Sequence, residues 1–156
     1  MASTSAPETL AGFFDDIVRC ETRLYNALGE RLKAEHGIVA AQFEFLRYLR
    51  DHPHARVADV ATNFAAGIGA ISKMVDRLEA RGWAARLPNP ADGRSSLISL
   101  TADGAALVAE AERTFRDLLG ELVSPAVSAS EVESARATLA ALRRSLELAR
   151  VGIPVG

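Results

Sequence analysis

The sequence predicts a mainly α-helical fold carrying one small β-hairpin, and three observations support that. Apolar residues recur at three- and four-residue spacing along most of the 156 residues, as helices that bury one face require. Between Arg56 and Thr101 the pattern changes. RVADVATNF, a tight AAGIG step and AISKMVDRLEARG are followed by WAARLPNPADGRSSLISLT, which alternates, turns at Asp92-Gly93 and alternates again. That order is helix, turn, helix, hairpin. After Thr101 the helical spacing resumes.

Taken in order, Met1 to Pro7 is small and polar, and a long helix is expected from Glu8 to about Ala34. Its stripe of Leu10, Phe13, Phe14, Ile17, Leu24, Leu28 and Leu32 is too long for a small domain to cover alone, so part of it should meet another subunit. His36-Gly37 reads as a C-terminal cap, because glycine adopts the left-handed conformation without penalty. A second helix follows from about Val39 to Asp51, stopped by Pro53. His52 and His54 beside Asp51 have metal-ligand chemistry, but a site needs three or four convergent ligands, and no metal is expected.

In the middle run Ile68, Ile71, Val75 and Leu78 share one helical face, opposite Gly69, Ser72, Lys73, Asp76 and Arg77. Such a polar face suits a DNA groove, where cations meet phosphates and short side chains admit the backbone. The wet side of an ordinary surface helix has the same pattern. Asp92-Gly93 predicts a two-residue hairpin turn, since both central positions of the favoured turn need positive φ. Arg86 and Arg94 flank it, and Pro88 and Pro90 stiffen the approach. A cationic tip of this kind can enter a minor groove. Asp92 either orients Arg94 or bonds its own turn.

Thr101 is expected to cap the next helix, with Asp103 in its first turn. Val108, Ala111, Phe115, Leu118 and Leu122 carry that helix to about Leu122, and Pro125 breaks it. Ser130-Glu131-Val132-Glu133 fits a capping box with Ser130 at the cap. Val132, Ala135, Leu139, Leu142 and Leu146 then form a narrow seam. An intrachain bundle and a pair of subunits fit that spacing equally.

The length suits one core with helical extensions. Net charge is −2 overall, yet Arg56 to Arg94 holds six basic residues against four acidic ones, a modestly basic middle in an acidic whole. No 18-residue apolar run and no basic, apolar leader is present, so a cytoplasmic chain that does not enter the membrane is expected. Cys20 has no second cysteine to pair with. No nucleophile elbow, phosphate loop or acid–base pair is recognisable. An enzyme is not expected, nor is a cofactor.

VADVA, SKMVDRLEARGW and NPADGRSSLISLTADG resemble the MarR family of winged helix-turn-helix transcriptional regulators, and with the flanking helices the resemblance covers nearly the whole chain. It implies a winged helix-turn-helix lobe over residues 35–104, an N-terminal dimerisation helix over 1–34 and C-terminal dimerisation helices over 105–156. It also implies an obligate homodimer with a recognition helix in the major groove, a wing in the minor groove, and double-stranded DNA bearing an inexact palindrome as partner. The DNA-contacting residues would be Gly69, Ser72, Lys73, Arg77, Arg86, Asp92 and Arg94. Many members carry Ser or Thr where this chain has Gly67, Ile68, Gly69 and Ala70, which removes side-chain hydrogen bonds to base edges. A cleft for a small aromatic or lipophilic effector would draw on Phe13, Phe14, Ile17, Tyr25, Phe43 and Phe45. The family's usual action, repression relieved by a ligand, is the expected one.

Two other readings remain. Cys20 stands on the first helix, as the redox cysteine does in one branch of the family, and oxidation there would be the switch; the alternative is an inert, buried cysteine. The apolar start of the reading helix also fits a protein-interaction module that does not bind DNA.

Overall fold

The computed structural model describes residues 3–154. Six helices and three short strands follow one another: α1 (Pro7–His36), α2 (Ala40–Asp51), β1 (Ala55–Arg56), α3 (Val57–Asn63), α4 (Ile68–Ala80), β2 (Ala84–Pro88), β3 (Ser96–Leu100), α5 (Ala102–Val123) and α6 (Ala129–Leu148). The mainly helical class and the order helix, turn, helix, hairpin are as expected. No helix among the described residues is long and apolar enough to cross a membrane.

The chain divides into two compact units at Ala40. The first is α1 and the segment after it. Pro7 opens α1, where a missing N–H is harmless, and Gly37 closes it at φ 68°, its N–H donating to Lys33 O. Leu28, Leu32, Ile38 and Ala40 are buried, whereas Leu10, Phe13, Phe14 and Val18 are exposed.

In the second unit β3 is the central strand of an antiparallel sheet ordered β1-β3-β2. Ile98 pairs with Ala55 on one side and Arg86 on the other. Its side chain enters a core built from Phe45, Leu46 and Leu49 of α2, Val60 and Ala61 of α3, Ile71, Val75 and Leu78 of α4, Ala84, and Val108 of α5. β1 is too short to leave a period in the sequence, and the hairpin prediction lacked it. It positions α3, whose Asp59 accepts the Arg56 N–H at 3.0 Å and the Arg56 guanidinium at 3.1 and 2.9 Å.

Three local expectations are corrected. The hairpin does not turn in two residues: β2 ends at Pro88 and β3 starts at Ser96, and Gly93 is not at positive φ. Pro88 and Pro90 cannot donate ladder hydrogen bonds, so pairing stops early and residues 89–95 form a longer tip. Ile68 is 61% exposed, not part of the buried stripe, because the first turn of α4 stands clear of the core. The capping residue of α6 is Ser128, not Ser130. Ser128 Oγ accepts the Glu131 N–H, and the Glu131 carboxylate accepts the Ser128 N–H at 2.8 Å, so the box starts two residues earlier.

The junction from wing to α5 is tightly made. Thr101 caps α5 by accepting the Gly104 N–H at 3.0 Å, donates its hydroxyl to Gly82 O at 2.6 Å, and its own N–H bonds Trp83 O. A side chain on Gly104 would put its Cβ 2.0 Å from Trp83 O. Only glycine lets α5 begin this close to the strand. By contrast α6 buries no residue at all.

Candidate nucleic-acid interface

Helices α3 and α4 are joined by a turn in which Ala65, a non-glycine residue, sits at φ 48°. Ala66 N–H closes the turn on Ala61 O at 2.9 Å. Gly67 then takes the extended capping position of α4. With Ile71, Val75 and Leu78 buried, α4 has its inner face fixed, and Gly69, Lys73, Asp76 and Arg77 are exposed on the outside with Ser72 half-buried. A side chain at Gly69 would meet nothing within 4 Å. Packing within the chain therefore does not require glycine there, and the bare backbone is left open to an incoming surface.

The wing tip is held by its own polar groups. Asn89 Oδ1 accepts the Ala91 N–H at 3.0 Å, and Asn89 Nδ2 donates to Ser95 Oγ at 2.9 Å. Asp92 Oδ1 accepts the backbone N–H of Arg94 at 2.9 Å. Of the two roles open to Asp92, the turn-bonding one is observed, and it shapes the backbone that carries Arg94 rather than gripping the guanidinium. Arg94 itself is exposed.

The cations of the lobe fall into two sets. Arg50 binds Glu112 at 2.5 and 3.1 Å, Arg47 reaches the same carboxylate at 3.8 Å, and Arg56 is clamped by Asp59. Arg81 lies 4.2 Å over the Trp83 ring. Hydrogen bonds from Arg50 hold Glu112 below its ordinary carboxylate range despite partial burial, and those from Arg56 do the same for Asp59. Lys73, Arg77 and Arg94 form the other set: no ion pair to any of them occurs among the described residues.

Arg86 belongs to the first set, although the sequence placed it among residues reaching DNA. Its Nη1 contacts Asp76 Oδ1 at 2.7 Å and Glu79 Oε1, its Nη2 donates to Ser72 O at 3.1 Å, and its backbone N–H donates to Glu79 Oε2 at 3.2 Å. Burial acts against its charge, and the hydrogen bonds it donates to Asp76 and Glu79 outweigh that, so its pKa is raised.

The other candidates are dispersed. Phe43 is fully buried and packs on Phe115 with ring centroids 5.3 Å apart. Phe45 likewise is buried, and it stacks on Phe64. Phe13, Ile17 and Tyr25 lie on α1, with Phe13 and Tyr25 exposed and Ile17 half-buried. Cys20 is exposed in the single chain, so its own chain does not bury it. His52 stacks on Tyr48 at 4.0 Å, and no metal-ligating cluster occurs among the described residues. Sequence reasoning foresaw the Thr101 cap but missed the close approach of Gly104 to Trp83 and the Thr101 bond to Gly82 O. It also missed the Arg47/Arg50/Glu112 cluster, in which Arg50 and Glu112 stand 62 residues apart and leave no local signal.

A buried-faced second helix after a tight turn, followed by a three-stranded sheet with a polar tip, defines a winged helix-turn-helix protein. Residues 38–96 match the MarR family, so the chain carries a MarR-family domain over that stretch. The multiple antibiotic resistance protein MarR of Escherichia coli is 34% identical over 95 residues, 61% of this chain and 66% of the relative. The HTH-type transcriptional repressor NicR of Pseudomonas putida is 29% identical over 92 residues, 59% and 58% of the two chains. The matched stretch thus spans less than two thirds of these curated relatives. A cysteine-to-serine mutant of E. coli MarR, solved with operator DNA, superposes with a TM-score of 0.77 at 28% identity, over 89% of this chain and 99% of that one. A MarR family regulator from Streptomyces coelicolor, also solved with DNA, reaches 0.82 at 20% identity over 99% and 96%, a likeness of fold.

Proposed function

We propose that this chain is a homodimeric, DNA-binding transcriptional regulator, a repressor released from its operator by a small aromatic or lipophilic ligand. One observation carries the DNA-binding part. In a lobe whose other arginines are engaged with carboxylates or an aromatic ring, Lys73 and Arg77 on the outer face of α4 and Arg94 on the wing tip have no ion-pair partner among the described residues. Unpaired cations on a reading helix and a wing supply the phosphate and minor-groove contacts that such folds make. Gly69 admits close approach and Ser72 offers a hydroxyl. The E. coli relative solved on operator DNA supports the same reading.

Dimerisation is supported by exposed apolar stripes: Leu10, Phe13 and Phe14 on α1, and Val132, Leu139, Leu142 and Leu146 on α6. Two lobes related by a two-fold would read half-sites about 34 Å apart, an inexact palindrome. For the effector, Phe13, Ile17, Tyr25 and Phe43 are the candidates, with Phe43 the one buried within the single chain. The test is fluorescence anisotropy with a duplex enriched from a random pool by the protein, against a scrambled copy. Selective binding that Arg94→Ala weakens, and that a ligand screen can reverse, is the expected result. Equal, salt-insensitive behaviour toward both duplexes would sink it in favour of a protein-interaction module.

The exposure of Cys20 favours a second reading of the switch. Phe13, Ile17, Cys20 and Leu24 follow four-three-four spacing, so one seam holds the thiol. A peroxide would oxidise it to a sulfenic acid with release of water, placing a polar group in an apolar contact. A Cys20→Ser variant whose DNA release by peroxide equals that of the wild type would exclude it.

A further inference from the structure

Resting on the DNA-binding reading, we infer that Arg86 is a positioning residue, which locks the wing to the recognition helix at one angle and makes no phosphate contact of its own. The juxtaposition is specific. Arg86 lies in β2, opposite Ile98 in the sheet register, and its head reaches three successive places along α4: Ser72 O, Asp76 and Glu79. These span two turns of the helix, one of them a main-chain carbonyl. A planar guanidinium with five donors can satisfy all three at once, and an ammonium on a flexible stem cannot hold the same geometry. Its side chain is 28% exposed.

The same contacts set a charge pattern. Asp76 stands beside Lys73 and Arg77 on the outer face, with its side chain 66% exposed. A bare carboxylate there would repel phosphate. Paired with Arg86 it is neutralised from behind, and the outer face is left to Lys73 and Arg77. Arg94, at the other end of the same wing, has the opposite circumstances: it is exposed, with only its backbone held, by Asp92. Two arginines eight residues apart thus divide two tasks. One fixes the angle between helix and wing, and the other meets the nucleic acid.

These tasks are separable by measurement. A phosphate contact weakens all DNA about equally, and its loss lowers the slope of log affinity against log salt by about one. Loss of a positioning residue leaves the salt slope unchanged and reduces the preference for the correct sequence, because helix and wing no longer reach their half of the site together. The experiment compares wild type, Arg86→Ala and Arg94→Ala by anisotropy over a range of potassium chloride concentrations. The probes are the duplex enriched from a random pool and its scrambled copy.

For Arg86→Ala the operator-to-scrambled affinity ratio is expected to fall about tenfold or more with the slope unchanged, while Arg94→Ala loses about one unit of slope. Arg86→Lys should fail to restore the ratio. An Arg86→Ala variant that loses a unit of slope at an unchanged operator-to-scrambled ratio overturns the inference in favour of a phosphate contact. One that binds both as wild type does overturns it outright. If Arg86→Ala does not fold, Glu79→Gln removes one acceptor and keeps the arginine. A fall in the ratio at unchanged slope is then expected, and an unchanged ratio rejects the clamp. Wild-type protein that binds neither duplex refutes the regulator reading itself, and this inference with it.

Discussion

Helices α4 and α6 are both amphipathic, and they differ in whether the rest of the chain covers the apolar face. In α4, Ile71, Val75 and Leu78 are buried by α2, α3 and the sheet of the same chain. In α6 the seam of Val132, Leu139, Leu142 and Leu146 is exposed along its length. An apolar stripe states that a helix has a partner. Spacing alone does not say whether the partner is in the same chain. Packing covers the α4 stripe within the chain and leaves the α6 seam exposed.

The largest expected effect comes from breaking the exposed seam. On the proposed homodimer, Leu139→Asp with Leu142→Asp should give a monomer in sedimentation equilibrium and remove detectable binding to the enriched duplex, while circular dichroism keeps the helical content. A variant that remains dimeric would show that the α6 seam is not the contact. Next is the covered stripe. Leu78→Ala should cost about 2–5 kcal/mol in urea unfolding, the range for a buried leucine truncated in a core, independent of protein concentration. Leu142→Ala should instead shift the thermal midpoint in a way that depends on concentration, as for any stability gained by association. Gly104→Ala tests the latch beside α4. With a backbone oxygen 2.0 Å from the new Cβ, α5 must move, and a loss of about 1–3 kcal/mol in the same urea assay is expected for an overpacked site.

Smaller effects come from electrostatics and strain. The Glu112 pKa is depressed in the folded state, first by its hydrogen bonds from Arg50, so its contribution is fully present above the unfolded value of about 4.5 and is lost as pH falls through the lower folded value. Thermal midpoints measured from pH 6 down to pH 3 should therefore drop less steeply for Glu112→Gln than for wild type. Smallest is Ala65→Gly. The left-handed φ of Ala65 disfavours any side chain by about 1 kcal/mol, partly offset by the extra unfolded-state freedom of glycine. A gain of a few tenths of a kcal/mol in urea is expected, without change in operator affinity.

The parts of the fold that could be read beforehand were those written in local periodicity or capping chemistry. The buried positions Ile71, Val75 and Leu78, the wing's two strands, Gly37 at the end of α1 and the Thr101 cap all belong to this class. What failed needed knowledge of where a helix end stands relative to the core, as with Ile68, or of how prolines shorten a ladder, as with the Asp92-Gly93 turn. Ser130 lost the capping position to Ser128 because both serines fit a box with a glutamate three residues on, and only backbone conformation separates them. In the candidate interface, Lys73, Arg77 and Arg94 could be picked out by charge and position. Arg86 carries the same charge on the same hairpin, but its acceptors on α4 stand 7 to 14 residues away, and no local pattern distinguishes a clamp from a contact.

The latch at Thr101 and Gly104 makes α5 a lever. Its 22 residues extend about 33 Å at 1.5 Å per residue, and its near end is bonded to Gly82, just past the end of α4. A tilt of about 5° over such a length displaces an end by about 3 Å, comparable to a hydrogen-bond length. Because Thr101 and Gly104 hold the near end of α5 against the segment that closes α4, a tilt about the middle of α5 carries that segment with it by about half this distance.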